Sequence, residues 1–313
     1  MQPEHEYSES VERNNYTVIN CKSCGFWHVN PIPSKEELNM FYENKYYKCL
    51  NENENRSMTD KKNDPDGFYA IYYEDKLRHI NNLISNKLPR TIIDIGAGYG
   101  DFLYFMKNKG WTTQGLEPSK EAYEFFKDKG LDIRLSSFEE LLDLDFQKSS
   151  VVTLNNVLEH LRQPEKVLME IKEHLLDPDG IISIAIPNDF NILQNLQMKT
   201  TLKDNTGKQY YWVSPLDHLN YWSHESIQMF LNRMGFEIKY ITSTFPIDIF
   251  PLLGDDYITH PEIGRSIHLK QVQFETNLHS TKNHFFKDAL YSSFAKVGIG
   301  RLILVYAEIA EES

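Results

Sequence analysis

An apolar strand pattern in this chain runs directly into an acidic residue and a glycine-rich turn. The segment is TIIDIGAGYGDFL, residues 91–103, and it places Gly96, Gly98 and Gly100 shortly after Asp94. Glycines allow backbone conformations that a Cβ forbids and let a ligand approach closely, and the following helix would offer unpaired N–H groups. The G-x-G-x-G spacing differs from the G-x-G-x-x-G of dinucleotide-binding proteins. The pattern favours a ligand-binding turn, with a tight turn that binds nothing as the alternative.

Two further predicted strands end on polar side chains. Glu117 ends the second strand in GLEPS, where a carboxylate can accept two hydrogen bonds from ribose hydroxyls. The alternative for Glu117 is a solvated acid that caps the helix near Ser119. Asn155 and Asn156 end another strand in VVTLNNVLEHL and offer donors and acceptors for the amino-acid end of a ligand. Because the carboxyl ends of neighbouring parallel strands border one crevice, we expect these segments to share a ligand.

Repeated strand and helix patterns between residues 68 and 186 must position these side chains. Strands are predicted at Thr91–Ile95, Thr112–Leu116, Asp132–Leu135, Val151–Leu154 and Ile181–Ile186, with helices between them. Such repeats predict a parallel sheet with right-handed crossovers, and two last strands, Phe236–Ile241 and Arg301–Glu308, suggest an antiparallel edge. Residues 1–60 are predicted to form an N-terminal knuckle-like extension, and residues 68–313 a main domain with insertions at about 187–221 and 246–300.

The segments D-I-G-A-G-Y-G, L-E-P-S, V-L-E-H-L and D-P-D-G-I-I-S-I-A-I-P-N, in this order, resemble the class I S-adenosylmethionine-dependent methyltransferases. The match runs from about Phe68 to Tyr240, and the last strand fits the family's closing strand. The resemblance implies an α/β fold with a Rossmann-like, mostly parallel seven-stranded sheet in the order 3-2-1-4-5-7-6, strand 7 antiparallel, and helices on both faces. It implies S-adenosylmethionine as the cofactor. The cofactor-binding residues that it implies are Asp94, Gly96, Ala97, Gly98, Gly100, Glu117, Pro118, Phe138, Asn155, Asn156 and Val157.

Because S-adenosylmethionine carries its own leaving group, the protein has to place an acceptor and, for a hydroxyl or carbon acid, remove a proton. His218 lies in SPLDHLNYWSHESI, which resembles the H-L-x-Y/F-W/F-S run of many small-molecule and sugar methyltransferases. Imidazole titrates near neutral pH, so His218 is the candidate general base, with a structural Asp217–His218 pair as the alternative. The candidate acceptor-binding residues are Tyr46, Tyr47, Tyr221, Arg265 and His268. A solvated helix face is the alternative for the last two.

Cys21 and Cys24 form a C-x-x-C-G knuckle near the start of the chain. The segment resembles the N-terminal zinc-binding region of sugar methyltransferases, which has a second cysteine pair upstream, whereas residues 1–20 here contain no cysteine. Structural zinc needs four ligands, and the local spares are His5, His28 and Cys49. A degenerate knuckle held by packing is the alternative, and the sequence alone assigns no metal to this protein.

Composition narrows the classes of partner. The chain has 313 residues and a formal net charge of −12, and an acidic balance argues against nucleic acid as a partner. No apolar run is long enough to span a membrane, and no signal-peptide pattern is present, so we expect no membrane partner and a cytoplasmic location. The family resemblance implies methyl transfer to a small molecule. The likeness of the N-terminal and His218 segments to sugar methyltransferases implies a sugar, nucleotide-sugar or cell-surface polysaccharide precursor as the acceptor class. The rival interpretations are a nicotinamide-dependent oxidoreductase and a non-catalytic cofactor-binding protein of the same fold.

Overall fold

The computed structural model describes residues 5–41, 67–126 and 130–311. Within these ranges the strands are β1 (Tyr7–Arg13), β2 (Tyr16–Cys21), β3 (Trp27–Val29), β4 (Thr91–Ile95), β5 (Thr112–Glu117), β6 (Asp132–Leu135), β7 (Ser149–Asn155), β8 (Leu176–Pro187), β9 (Asn220–Tyr221), β10 (Phe236–Ser243) and β11 (Leu302–Ile309). The α-helices are α1 (Lys35–Phe41), α2 (Phe68–Leu83), α3 (Asp101–Asn108), α4 (Lys120–Phe126), α5 (Pro164–Glu170), α6 (Ile192–Lys199), α7 (His224–Arg233), α8 (Ile249–Leu252), α9 (Gly264–Ser280) and α10 (His284–Lys296). No helix in the described ranges is long and apolar enough to cross a bilayer.

The main sheet has seven strands in the order β6-β5-β4-β7-β8-β11-β10. Strands β4 to β8 are parallel, and β11 runs antiparallel to both β8 and β10. This order confirms the predicted fold class. Strand β8 begins earlier than the sequence indicated, because Leu176 already pairs with Ser149 and the DPDG tetrapeptide bulges out before pairing resumes at Ile181.

Apolar side chains cover both faces of the main sheet because alternate strand residues point to opposite sides. Ile93 packs in one buried cluster with α5 and α7, and its neighbour Ile92 packs in another with α2, α3 and α4. The IISIAI run of β8 is buried throughout, as expected for a strand that helices cover on both sides. The carboxyl ends of the parallel strands are therefore held rigidly at one edge.

The N-terminal residues form a second, four-stranded antiparallel sheet in the order β1-β2-β3-β9. Its last strand comes from the predicted insertion at 187–221, and Trp27 pairs with Tyr221 across β3 and β9. Phe26 anchors this sheet to the main domain by packing on Trp222, with ring centroids 4.3 Å apart, and on Phe230. The N-terminal extension is therefore physically joined to the insertion at residues 187–221.

Candidate functional site

A cavity of about 980 Å³ opens at the carboxyl ends of β4, β5 and β7. Ten of the eleven cofactor-binding residues predicted from the sequence line it: Asp94, Gly96, Ala97, Gly98, Glu117, Pro118, Phe138, Asn155, Asn156 and Val157. The eleventh, Gly100, precedes α3 with φ +73°, and a Cβ there would lie 2.9 Å from Leu131. The three segments do converge on one site, as their positions at strand ends require.

The turn after β4 depends on glycine. Gly96 has φ +75°, and a Cβ added to it would lie 2.4 Å from the Cγ2 atom of Val157. Gly98 also has a positive φ and donates its backbone N–H to the Glu117 carboxylate at 2.7 Å. The bare backbone leaves room against Val157, and the hydrogen bond ties the turn to the end of β5.

Glu117 is buried at the cavity wall, with 7% of its surface exposed. One carboxylate oxygen accepts from Gly98 N–H and the other from Ser119 N–H, each at 2.7 Å. Burial raises the pKa of Glu117, while these two backbone N–H groups lower it. The predicted capping contact near Ser119 is thus real, but the acid lies in the cavity wall instead of in solvent. Each oxygen retains a lone pair that a ribose hydroxyl can use.

A buried chain of polar groups crosses the bottom of the cavity. Asp94 accepts from Thr153 Oγ1 at 2.5 Å and from Asn155 Nδ2 at 2.9 Å. Lys76 donates its Nζ to the amide oxygen of Asn155. Burial raises the pKa of Asp94 to about 7 and lowers the pKa of Lys76 to about 8. These polar groups therefore place the carboxyl group of Asp94 and the amine of Lys76 where a zwitterionic ligand group could bind.

Helix α2 forms a wall that sequence reasoning missed. It lines the cavity with Phe68, Tyr69, Tyr72, Tyr73 and Lys76. Phe68, Tyr72 and Lys76 follow at four-residue intervals, and Tyr69 and Tyr73 repeat that interval one position later, so the five side chains share one face of the helix. Aromatic faces stabilise cations, which suits a ligand with a positive sulfur. The sequence contains this aromatic stripe with its one lysine, but the same pattern is equally typical of a helix face that packs in an ordinary core.

Two histidines lie together on the acceptor side. His160 lines the cavity, and its Nδ1 donates to the carbonyl oxygen of Asp217 at 2.5 Å. His218 is not among the described residues that line the cavity; its ring packs edge-on against His160, with centroids 5.1 Å apart. Burial lowers the pKa of His160 and lowers that of His218 to about 3. Both rings are therefore neutral near pH 7.

Three of the other predicted acceptor-binding residues are not among the described residues that line the cavity. Tyr221 is buried in β9, and its hydroxyl accepts from Ser214 N–H at 3.1 Å. Arg265 is exposed near the start of α9, and His268 packs edge-on against Phe68, with ring centroids 5.4 Å apart. The predictions for Tyr46 and Tyr47 fall outside the described residues.

An arginine that the sequence gave no reason to single out lines the far end of the cavity. Arg301 immediately precedes β11, and its backbone oxygen accepts from Asn188 N–H beside the end of β8. Burial would lower the pKa of Arg301, but the carboxylates of Asp248 and Asp189 raise it. Burial raises the pKa of Asp189 itself to about 7. Arg301 was predicted only as a strand residue, because its exposure to the cavity depends on tertiary packing.

Two groups of potential metal ligands come together within the described ranges. One comprises Glu159, His160 and His218, and the other comprises His5, Cys21, Cys24 and His28. The second group adds both histidines to the C-x-x-C knuckle noted in the sequence. Cys49, the other spare ligand, lies outside the described residues.

Comparisons with known proteins agree with this geometry. Residues 69–241 match the model of a methyltransferase domain. The chain is similar to the ubiquinone biosynthesis O-methyltransferase of Actinobacillus pleuropneumoniae, at 28% identity over 138 residues, and to the putative methyltransferase YqeM of Bacillus subtilis, at 23% over 160 residues. The alignments cover 40% and 47% of this chain, and the chain spans only 58% and 65% of the lengths of these two relatives.

Solved structures share the fold. The plantazolicin methyltransferase BpumL, in complex with a triazolic desmethylPZN analog and SAH, gives a TM-score of 0.51 at 13% identity and covers 88% of this chain and 95% of that chain. BpumL in complex with SAH gives a TM-score of 0.50 at the same 13% identity. These matches confirm the predicted fold. The methyltransferase-domain match supports S-adenosylmethionine as the cofactor and does not favour a nicotinamide-dependent oxidoreductase. Because the domain model covers more than half of its residues, the chain belongs to the methyltransferase family.

Proposed function

We propose that this protein transfers the methyl group of S-adenosylmethionine to a small molecule that is a sugar, nucleotide-sugar or cell-surface polysaccharide precursor. The observation that carries the proposal is the single cavity that joins a cofactor half to a polar acceptor half. One cavity is lined by the glycine turn, Glu117, Asp94, His160 and Arg301; we assign the first three to a cofactor half and the last two to an acceptor half. S-adenosylmethionine supplies an electrophilic methyl group when it is bound.

The cofactor half fits each part of that molecule. Glu117 would hold the ribose hydroxyls with its remaining lone pairs. Asp94 and Lys76 would face the amino-acid end, which carries both charges. Phe138 would pack on the adenine, and the adjacent Ser137 also lines the cavity.

The acceptor half suits a hydroxylated or anionic molecule. Arg301 is accessible and lines this half together with Thr244 and Gln271. A guanidinium can hold a phosphate or carboxylate with two parallel hydrogen bonds. Hydroxyl and amide groups can bind sugar hydroxyls as both donors and acceptors. A phosphorylated sugar or nucleotide-sugar would use both kinds of contact.

We further propose that His218 forms the base together with His160. The Nδ1 proton of His160 is engaged by the Asp217 carbonyl oxygen. Its Nε2, which lies 3.8 Å from a carboxylate oxygen of Glu159, is therefore the nitrogen that would take a proton from an acceptor hydroxyl. His218 packs behind this ring and would support it. Tyr46, Tyr47, Tyr221, Arg265 and His268 stay predictions for acceptor contact.

A labelling experiment tests the proposed acceptor class. The protein is incubated with methyl-labelled S-adenosylmethionine and a panel of hexoses, sugar phosphates, nucleotide-sugars, phenols and peptides, and labelled products are separated by charge. We expect label in the sugar phosphate or nucleotide-sugar fraction, and a marked loss of turnover in His160→Ala and His218→Ala. Label confined to phenols or peptides would refute the acceptor class, and full turnover in His218→Ala would remove that residue from the base.

A further inference from the structure

Two cysteines and two histidines converge at one end of the N-terminal sheet. The ligand atoms of His5, Cys21, Cys24 and His28 all lie within 4.8 Å of one another. His5 Nδ1 is 3.2 Å from the Sγ atom of Cys21 and 3.6 Å from that of Cys24. His5 precedes Cys21 by 16 positions, so the pairing of β1 with β2 brings it to the cysteines.

The backbone around the cysteines is shaped as a tight knuckle. Cys21 ends β2, and its carbonyl oxygen accepts from Gly25 N–H at 2.9 Å. The backbone N–H of Cys24 points at the Sγ atom of Cys21 at 3.3 Å. Gly25 has φ +79°, a conformation that glycine adopts without strain. N–H groups directed at sulfur support a thiolate and orient it as a ligand.

His28 supplies an independent observation. It is buried, with 3% of its surface exposed, and its Nδ1 donates to the carbonyl oxygen of Val29 at 2.9 Å. Its Nε2 therefore carries the free lone pair, and this atom is buried with no hydrogen-bond partner among the described residues. A buried polar atom without a partner is unfavourable, and a metal ion would satisfy it.

We propose that His5, Cys21, Cys24 and His28 bind one tetrahedral Zn²⁺ ion. At the tetrahedral angle, the usual Zn–S and Zn–N bond lengths place ligand atoms about 3.3–3.8 Å apart. Of the two N–S distances, 3.6 Å falls in this range and 3.2 Å lies just below it. Thiolate and imidazole ligands favour zinc over magnesium or calcium. Each cysteine releases its thiol proton on binding, so two thiolates balance the charge of the ion.

The position of the ion gives it a structural role. Four protein ligands leave no open position for substrate, as in structural zinc sites. The knuckle is tied to α7, where Arg233 donates to the carbonyl oxygen of Cys24 at 2.9 Å. Strand β3, which carries His28, pairs with β9, and β9 begins two residues after His218. The ion would therefore stabilise the four-stranded sheet that includes β9, the strand just after His218.

Metal analysis of the purified full chain tests the proposal. We expect about one zinc per chain, and cobalt exchanged into the site should give the intense thiolate-to-metal absorption of a Cys₂His₂ centre. Cys24→Ser and His5→Ala should bind zinc at least tenfold more weakly. His5→Cys restores a zinc ligand and should retain the ion. His174→Ala, an exposed histidine, and Cys49→Ser are the matched controls and should keep full zinc content.

Three results would overturn the site. The first is reduced, folded wild-type protein that holds neither zinc nor cobalt; this readout needs no variant and so does not depend on variant folding. The second is a Cys21–Cys24 disulfide in freshly purified protein that forms in place of metal binding. The third is loss of zinc from Cys49→Ser while the His5→Ala, His28→Ala double variant retains it.

Discussion

Glu117 is the residue on which the cofactor site depends most. Its carboxylate already holds the Gly98 and Ser119 N–H groups, and it would also accept the ribose hydroxyls. Glu117→Ala should weaken binding of S-adenosylhomocysteine by roughly 10- to 100-fold, because a charge-assisted hydrogen bond contributes about 1.5–3 kcal/mol. Calorimetric titration measures this. Glu121→Ala, an exposed acid on α4, is the control, and equal affinities in the two variants would refute the assignment.

Protonation of a buried histidine gives a second prediction at this scale. Burial lowers the pKa of His218 to about 3 in the folded protein, while the unfolded chain has the ordinary value near 6.5. As pH falls from 6.5 towards 3, His218 therefore binds a proton in the unfolded state but not in the folded state. The free energy of unfolding decreases as a result. Above pH 6.5 neither state is protonated, and this contribution to stability is complete.

His218→Asn should remove this pH dependence. Below pH 6.5 the variant's free energy of unfolding should fall less steeply than that of the wild type, by up to about 1.4 kcal/mol per pH unit. Urea unfolding at pH 8, 6.5 and 5.5 measures the slopes. The raised pKa values of Asp94 and Asp189 act in the opposite direction in both proteins and cancel in the difference. Parallel slopes would show that the ring is protonated in the fold.

At the scale of elements, helix α2 shows what the sequence could and could not predict. Its periodicity predicted a helix at Phe68–Ser85, close to the observed Phe68–Leu83. Its role as a cavity wall could not be predicted, because an apolar and aromatic face packs against a ligand as readily as against a core. Lys76 is the residue of that face that does not suit an ordinary core, because a lysine with 1% exposure requires a polar or charged partner.

Replacing Lys76 tests the wall directly. Lys76→Met keeps the length of the side chain and removes the amine beside Asn155 and Asp94. Affinity for S-adenosylhomocysteine should fall at least tenfold. Thermal stability should also fall, because the buried Asp94 carboxylate loses the positive charge beside it. Lys87→Met, at an exposed position, is the control. Unchanged affinity in Lys76→Met would exclude the lysine from the cofactor site.

The N-terminal elements depended on contacts that are distant in sequence. Strand β8 of the main sheet was predictable because its IISIAI run is apolar nearly throughout, as a buried parallel strand should be. Strand β9 has only two residues and exists because β3 pairs with it, so no local pattern marks it. For the same reason the sequence suggested His5 and His28 only as spare ligands, and the fold was needed to bring them to the cysteines.

At the scale of the whole molecule, one cavity is lined both by the proposed cofactor-binding residues and by the proposed acceptor-binding residues. Its cofactor half was predictable because strand ends of a doubly wound sheet must converge. Its acceptor half was not, since Arg301 and Gln271 come from distant parts of the chain and meet only in the folded protein. The sequence instead singled out Arg265, which the structure places on the exposed surface of α9.

Replacing Arg301 or Arg265 gives a prediction that distinguishes acceptor binding from cofactor binding. Arg301→Met should raise the KM for an anionic acceptor at least tenfold and leave the affinity for S-adenosylhomocysteine within about twofold, since a hydrogen bond to a charged group contributes about 1.5–3 kcal/mol. Arg265→Met should leave both values unchanged if Arg301 is the anion-binding group. Steady-state kinetics with the best acceptor of the labelling panel measures the KM. A large effect of Arg265→Met alone would move the acceptor site to α9.

Calorimetric titration of the full chain with S-adenosylhomocysteine, and in parallel with NAD, tests the central claim most directly. The account predicts one binding site per chain for S-adenosylhomocysteine and no heat from NAD. Well-folded protein that binds NAD, or that gives neither heat nor thermal stabilisation with S-adenosylhomocysteine, would contradict it.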